Sequence, residues 1–212
     1  PVNPIMGFVE VVLKARVIRE QFRQVKLDIA DFEPDVLILV DFPGFNLRIA
    51  QWAKVQGMKV VYFIPPKVWA WKQGRLKKLT ASTDLILSIL PFEESWYAAK
   101  GHELHYVGNP LAEDYAGKTG YAPDSKEIVL LPGSRSQEIQ RLLPVFYDLA
   151  VALPAYRFKV VRAASVVASW PNLSVPENIE VIDAPLLEVA TSACFALTCS
   201  GTASLEIALL GI

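Results

Sequence analysis

Nothing in this 212-residue sequence reaches 18 consecutive apolar residues, and no signal peptide opens it, so no segment is expected to cross a membrane as a helix. Cysteine is limited to Cys194 and Cys199, in one short apolar strand at odd spacing. Their side chains are expected on opposite faces, as buried thiols of a reducing compartment rather than a disulfide or a metal site. Two histidines, His102 and His105, lie in the polar connection Gly101-His-Glu-Leu-His105 without a triad or metal partner and read as surface residues. Neither charge sign is in excess. With 21 basic and 22 acidic residues the net charge is −1, which argues against nucleic acid as a partner. The sequence also lacks a P-loop lysine signature, G-x-S-x-G, H-E-x-x-H and D-x-D, so the corresponding hydrolase, peptidase and acidic metal-site chemistries are not expected. What it has in quantity is apolar residues, 52% against 20% charged, which excludes disorder and suits one or two α/β domains in the cytoplasm.

The chain is organised around Ile128–Leu143. Ile128 to Leu131 reads as a buried parallel strand, broken by Pro132 and Gly133. Ser134 is a candidate N-cap, and Glu138, Ile139, Leu142 and Leu143 continue at helical spacing. Strand, glycine turn and helix start leave backbone N–H groups beside a positive helix end, which suits phosphate. Arg135 adds a cation with bidentate donors. An ordinary βα turn would carry much the same residues.

Upstream, residues 5–26 read as a helix whose apolar start, including Phe8 and Val12, gives way to Lys14, Arg16, Arg19, Arg23 and Lys26. That pattern fits a membrane-surface helix, and equally a helix buried at a domain or oligomer interface. Val36 to Val40 reads as a buried strand with Asp41 at its C-terminal end, the edge at which open parallel sheets bind ligands. Asp41 is placed for chemistry there, or for capping the helix that follows, residues 47–55. The strand at 60–64 runs into Pro65-Pro-Lys-Val-Trp-Ala-Trp-Lys-Gln-Gly-Arg75, where Trp69 and Trp71 stand among Lys67, Lys72, Arg75, Lys77 and Lys78. Aromatic plates beside cations suit a sugar ring, an acyl chain or a phosphorylated headgroup; Trp69 as core filler and the lysines as a solvated helix face is the plainer alternative. A strand at 85–90 leads to a helix start with Glu93 and Glu94, where acidic residues have a structural reason to sit.

Residues 116–126, rich in Gly, Ala, Asp, Tyr and Lys, lack hydrophobic periodicity and read as a linker between residues 1–115 and 127–212. Further strands are expected at 157–162, 179–182 and 194–198. The last leads into Ser200-Gly-Thr-Ala-Ser-Leu-Glu206, a second glycine-hydroxyl corner at a helix start. Two such corners after two strands of one sheet can grip a diphosphate without metal.

Five blocks, Val68-Trp-Ala-Trp-Lys-Gln-Gly-Arg75, Leu90-Pro-Phe-Glu93, Val107-Gly-Asn-Pro-Leu111, Leu131-Pro-Gly-Ser-Arg135 and Ser200-Gly-Thr-Ala-Ser-Leu-Glu206, resemble lipid-A-disaccharide synthase, in that family's order. The resemblance implies an α/β fold of the GT-B class: two Rossmann-like domains with parallel sheets facing a cleft, an acceptor and membrane domain at 1–115 and a UDP-sugar domain at 127–212. It also implies that the N-terminal glycine-rich turn and the segment beyond the last helix lie outside this chain. The implied reaction is inverting and metal-independent, without cofactor. It moves 2,3-diacylglucosamine from UDP-2,3-diacylglucosamine to 2,3-diacylglucosamine 1-phosphate (lipid X), at the inner face of the inner membrane in Gram-negative lipid A biosynthesis.

By the same resemblance Asp41 is the base or orients the acceptor, and Arg135 with Gly133 and Ser134 offsets charge on the departing diphosphate. Ser200, Gly201 and Thr202 add contacts to UDP, and Glu206 accepts from the ribose. Trp69, Trp71 and Arg75 line the acceptor side, and Phe8 and Val12 meet acyl chains and the membrane surface. A homodimer remains open. The chain departs from the family at Gly44, where members often carry an acid, and at Pro66 or Lys67, where they carry serine. The alternatives are another GT-B enzyme, such as a UDP-GlcNAc 2-epimerase or a muramyl-type transferase, and a non-catalytic UDP- or lipid-binding module.

Overall fold

The computed structural model describes residues 8–212, with side chains described from Val17 onward, Ser169 excepted. The chain divides into two compact α/β units, residues 1–109 and 110–212. Each contains one four-stranded parallel sheet.

In the first unit β1 (Val36–Val40), β2 (Lys59–Phe63), β3 (Leu85–Ser88) and β4 (His105–Tyr106) pair in sequence order. Connections run through α2 (Pro43–Val55), α3 (Arg75–Ala81) and α4 (Phe92–Ala98), and α1 (Phe8–Phe32) precedes the sheet. Pro43 opens α2, where its missing N–H costs nothing, and Leu47, Ile49, Ala50 and Ala53 form the buried face of that helix. These residues meet Val60, Tyr62, Ile86 and Tyr97 in one core, against which Phe22, Val25 and Ile29 of α1 pack. Phe22 stacks on Phe45 at 4.1 Å between ring centres. The apolar start of α1, with Phe8 and Val12, falls where side chains lie outside the described residues.

β1 departs from the expectation of a buried strand. Leu39 is buried, whereas Val36, Ile38 and Val40 are exposed on the opposite face. Among the described residues β1 pairs with β2 alone, and because successive side chains alternate between faces, Val36, Ile38 and Val40 share the face left uncovered.

In the second unit the order is β7-β6-β5-β8, with β5 at Glu127–Leu131, β6 at Arg157–Val161, β7 at Ile179–Ile182 and β8 at Phe195–Thr198. β5 lies inside the sheet, and its unbroken apolar run serves both faces. Ile128 and Leu130 enter one core with Phe158 and Val160, while Val129 and Leu131 enter another with Leu186, Ile207 and Leu210. The first of these cores is closed by α6 (Ser136–Ala152), whose Ile139, Leu143, Phe146, Tyr147 and Ala150 recur at helical spacing. The second receives α7 (Leu186–Val189) and α8 (Gly201–Leu209).

Residues 110–126 are tied to this second unit. α5 (Pro110–Asp114) leads to Tyr115, which is buried in the second core. The Gly120 N–H donates to the Leu210 carbonyl at 3.0 Å, and its own carbonyl accepts from Ala193 at 2.8 Å. These attachments run through the backbone, so they leave no hydrophobic period in the sequence.

The cysteines flank β8 rather than lying within it, and both are free thiols. Cys194 is half-buried and Cys199 is exposed, which corrects the expectation of two buried thiols. The strand ends one residue before Cys199, where the chain turns toward α8. Partial desolvation of the sulfur and the nearby Glu138 charge raise the Cys199 thiol above its ordinary pKa.

Candidate functional site

Both units place their chemistry-bearing residues beyond the C-terminal ends of strands, where a parallel sheet leaves helix starts and loops to form a hollow. The larger hollow, about 780 Å³, belongs to the second unit. Leu131 at the end of β5 and Gly133 beyond it line the hollow, as do Val161 at the end of β6 and Arg162 to Ala164 beyond it, Asp183 to Leu186 after β7, and Ser200, Thr202, Ala203 and Glu206 after β8. The two glycine-hydroxyl corners therefore meet at one cavity of the size that holds a small ligand. The structure brings together Gly133, Ser134, Ser200, Thr202 and Glu206; Gly201 and Arg135 are not among the lining residues.

Gly133 turns at φ +107, and a Cβ there would lie 2.4 Å from Glu138 Oε2. Only glycine tolerates both demands. α6 starts one residue later than expected, with Arg135 rather than Ser134 as N-cap and no side-chain cap. Glu138 explains the shift. Its carboxylate accepts from the Ser134 N–H at 3.2 Å and from Arg135 Nη1 at 2.6 Å, so it occupies the donors of the corner. Arg135 holds that carboxyl below its ordinary range. The arginine side chain is 79% exposed and committed to this pair.

Glu206 is held by Tyr115, whose hydroxyl donates to Oε1 at 2.8 Å. Burial and this bond raise the tyrosine's own pKa. Arg162 and Asp183, which also line the hollow, form a two-pronged ion pair through Nε–Oδ1 (2.6 Å) and Nη2–Oδ2. The Arg162 guanidinium lies 5.5 Å from the centre of Trp170. Sequence reasoning missed Tyr115, Arg162 and Asp183. An arginine directly after a strand was the one signal available; Tyr115 sits 91 residues from Glu206 and carried none.

The smaller hollow, about 150 Å³, belongs to the first unit and is lined by Asp41, Pro43, Pro65, Pro66, Lys67, Trp71 and Arg75. Asp41 and Phe42 are both left-handed, at φ 48 and 43, and Ile64 and Lys72 join them at 58 and 55. Such backbone is strained for residues other than glycine, and here it is held by tertiary bonds. Tyr62 Oη donates to the Asp41 carbonyl at 2.8 Å, and Asn46 Nδ2 reaches the carbonyls of Val40 and Asp41, each at 2.9 Å. The Asp41 carboxylate is exposed and accepts no hydrogen bond among the described residues. Trp71 is 58% exposed with Lys72 and Arg75 against its ring, 4.6 and 5.5 Å from its centre.

Trp69, expected beside Trp71, turns inward instead. Its Nε1 donates to Glu93 Oε1 at 2.8 Å, and its ring meets Phe92 edge-on at 5.0 Å. Glu93 is fully buried and also accepts from Ser88 Oγ. A turn in which the Ala70 and Trp71 N–H groups donate to the Lys67 carbonyl, at 3.1 and 3.3 Å, separates the two rings: one anchors the loop and the other faces outward.

A family model described as lipid-A-disaccharide synthetase matches residues 4–212. The chain belongs to that family. Curated lipid-A-disaccharide synthases resemble it at 37% identity in Trichlorobacter lovleyi, over 98% of this chain and 58% of the relative, and at 36% in Sulfurihydrogenibium, over 98% and 61%. A lipid-A-disaccharide synthase 1 of Legionella pneumophila is 35% identical over 97% of this chain and 58% of its own. The chain thus spans about three fifths of the length of these relatives. Two solved structures share the fold at low identity. A Listeria monocytogenes protein assigned as a UDP-N-acetylglucosamine 2-epimerase gives a TM-score of 0.61 at 12% identity, over 93% of this chain and 60% of its own. The spinosyn rhamnosyltransferase SpnG gives 0.53 at 16%, over 92% and 56%. The α/β architecture with one parallel four-stranded sheet per unit is of the GT-B class.

Proposed function

We propose that this chain carries the donor grip and the acceptor-side carboxylate of a lipid-A-disaccharide synthase. The enzyme moves 2,3-diacylglucosamine from UDP-2,3-diacylglucosamine to lipid X, releasing UDP and the β-1,6-linked disaccharide 1-phosphate. One observation carries the reading: both glycine-hydroxyl corners and Glu206 line the same 780 Å³ hollow, in a chain of this family.

The chemistry assigns each group a task. Backbone N–H groups after Gly133 and at the start of α8 take the diphosphate oxygens, helped by the positive ends of two helices. Glu138 stands on the first of these corners, so the diphosphate displaces its carboxylate and takes over the Ser134 N–H and Arg135. Charge on the departing UDP then falls on donors already in place. Glu206, oriented by Tyr115, accepts from the ribose hydroxyls. Asp41 removes the proton from the acceptor hydroxyl as that oxygen attacks the anomeric carbon; the carbon–oxygen bond to UDP breaks with inversion. Diacylated substrates would be met at the membrane surface, where their acyl chains reside; among the described residues no helix is long and apolar enough to cross a membrane.

The test is turnover of the full-length protein on UDP-2,3-diacylglucosamine plus lipid X, with the product identified by mass spectrometry. Tetraacyl disaccharide 1-phosphate and UDP are expected. Conversion of a water-soluble UDP-sugar, with none of the diacylated donor, would overturn the reading in favour of an epimerase-like enzyme.

A further inference from the structure

The geometry points to Tyr62 and Asn46 as positioning residues, which hold the strained turn after β1 in the conformation that presents the Asp41 carboxylate to the acceptor hydroxyl. The inference deepens the transferase reading above and rests on Asp41 as its base.

Backbone strain is the starting observation. Asp41 and Phe42 are consecutive left-handed residues, at φ 48 and 43. Aspartate tolerates that region better than most side chains, whereas a bulky residue such as phenylalanine enters it only when its surroundings compel it. One regular bond still continues β1 here, from the Asp41 N–H to the Phe63 carbonyl at 2.9 Å. The chain then turns straight into α2, with Phe42 as the N-cap and no side-chain cap.

Two side chains supply what the turn lacks. The Asp41 carbonyl accepts twice, from Tyr62 Oη at 2.8 Å and from Asn46 Nδ2 at 2.9 Å. The same Asn46 nitrogen donates to the Val40 carbonyl at 2.9 Å. Donors from β2 and α2 thus fix the peptide plane between Asp41 and Phe42. Tyr62 is fully buried in the core of the first unit. Phenylalanine would fill the same space, so packing gives the hydroxyl no task and its bond serves the turn. Burial, with the Asp41 charge, raises that hydroxyl above its ordinary pKa, so it remains a donor.

The Asp41 side chain has no comparable support. Its carboxylate is exposed, lines the small hollow and accepts no hydrogen bond among the described residues. Its direction is therefore set by the backbone that carries it. A base has to lie within hydrogen-bond reach of the proton it takes, and a misplacement of about 1 Å costs on the order of 10²-fold in rate. Strain of this kind persists where the surroundings over-determine it, as two donors on one carbonyl do here.

Steady-state kinetics of the full-length protein on UDP-2,3-diacylglucosamine and lipid X test the inference. Tyr62→Phe and Asn46→Leu, which remove the donors and nearly keep the volumes, are each made with Asp41 intact and in the Asp41→Ala background. With Asp41 intact, each should lower kcat by about 10–100-fold, while KM for lipid X and the calorimetric Kd for UDP stay within about twofold of wild type. In the Asp41→Ala background the same substitutions should cost nothing further, because the group they aim is gone. A loss of equal size in both backgrounds would make the two residues merely structural and overturn the inference. So would an unchanged kcat in Tyr62→Phe, the variant least able to disturb the fold, or a loss confined to KM or to UDP affinity. Wild-type turnover by Asp41→Ala would instead bring down the base assignment itself. A crippled Asp41→Ala beside fully active Tyr62→Phe and Asn46→Leu would leave that assignment standing and remove the positioning.

Discussion

The two hollows lie at equivalent edges of two similar sheets and are built in opposite ways. The second unit forms its cavity from strand–glycine–helix corners, each a contiguous run of a few residues, with neutral donors and helix ends as its main resource. The first forms its cavity from strained loops after β1 and β2 and the start of α3, with aromatic and cationic side chains as its resource. The contrast teaches that the same edge of a parallel sheet can be shaped by backbone corners in one unit and by side chains in the other. Backbone N–H groups suit a ligand gripped along its length, as a diphosphate is. Lys72 and Arg75, stacked on the exposed Trp71 ring, instead present side-chain donors at the surface of the first unit.

The sharpest way to break the comparison is Asp41→Ala in the full-length protein. Transfer should fall by about 10²–10⁴, the usual worth of a general base, while UDP binding measured by calorimetry persists. Undiminished turnover would remove Asp41 from the mechanism. Gly120→Ala probes how firmly residues 110–126 belong to the second unit. Its Cβ would lie 1.9 Å from the Ala190 carbonyl oxygen, a backbone clash that side-chain motion cannot relieve. A loss of roughly 3 kcal/mol or more in urea unfolding is expected, in the range of severe core disruptions; a variant as stable as wild type would show that this stretch is loosely held.

Arg135→Ala should weaken UDP binding by about 1.5–3 kcal/mol, if the guanidinium leaves Glu138 for the diphosphate. Equal affinity in both proteins would mean that the exposed Arg135–Glu138 pair persists in the complex. Tyr115→Phe removes one hydrogen bond to Glu206 and should lower UDP affinity by about 1 kcal/mol with little change in the fold, as calorimetry and melting would show. The smallest effect concerns pH. Lys54, with help from the Val60 N–H, holds the Asp84 carboxyl below its ordinary value of 3.8. A depressed carboxylate stabilises the fold above its unfolded pKa, and that contribution fades as pH falls through the lower folded value. Melting curves of wild type and Asp84→Asn should therefore differ near neutrality and converge in strong acid.

Local chemistry explains which parts were legible in advance. β5, its glycine turn and the amphipathic α6 are written in contiguous residues, and the two corners were recognisable from Gly133 and Gly201 with their hydroxyl neighbours. The exposure of β1 was not legible, because a run of Val, Leu and Ile reads the same whether one face of the strand is covered or both are. The corner's occupant was equally hidden. Glu138 looked like a first-turn carboxylate on the helix dipole; its bonds to Ser134 and Arg135 depend on how far the chain turns at Gly133.

The sequence alone determined the strand and helix succession, the family and the two glycine corners, since each follows from neighbours along the chain. Only the tertiary structure decided that Trp69 turns inward to Glu93, that the Lys67 ammonium is buried 3.7 Å from the same carboxylate, and that Tyr115 holds Glu206. These pairings join residues separated by tens of positions. No local propensity encodes them, and they arise only when packed sheets bring distant loop ends together.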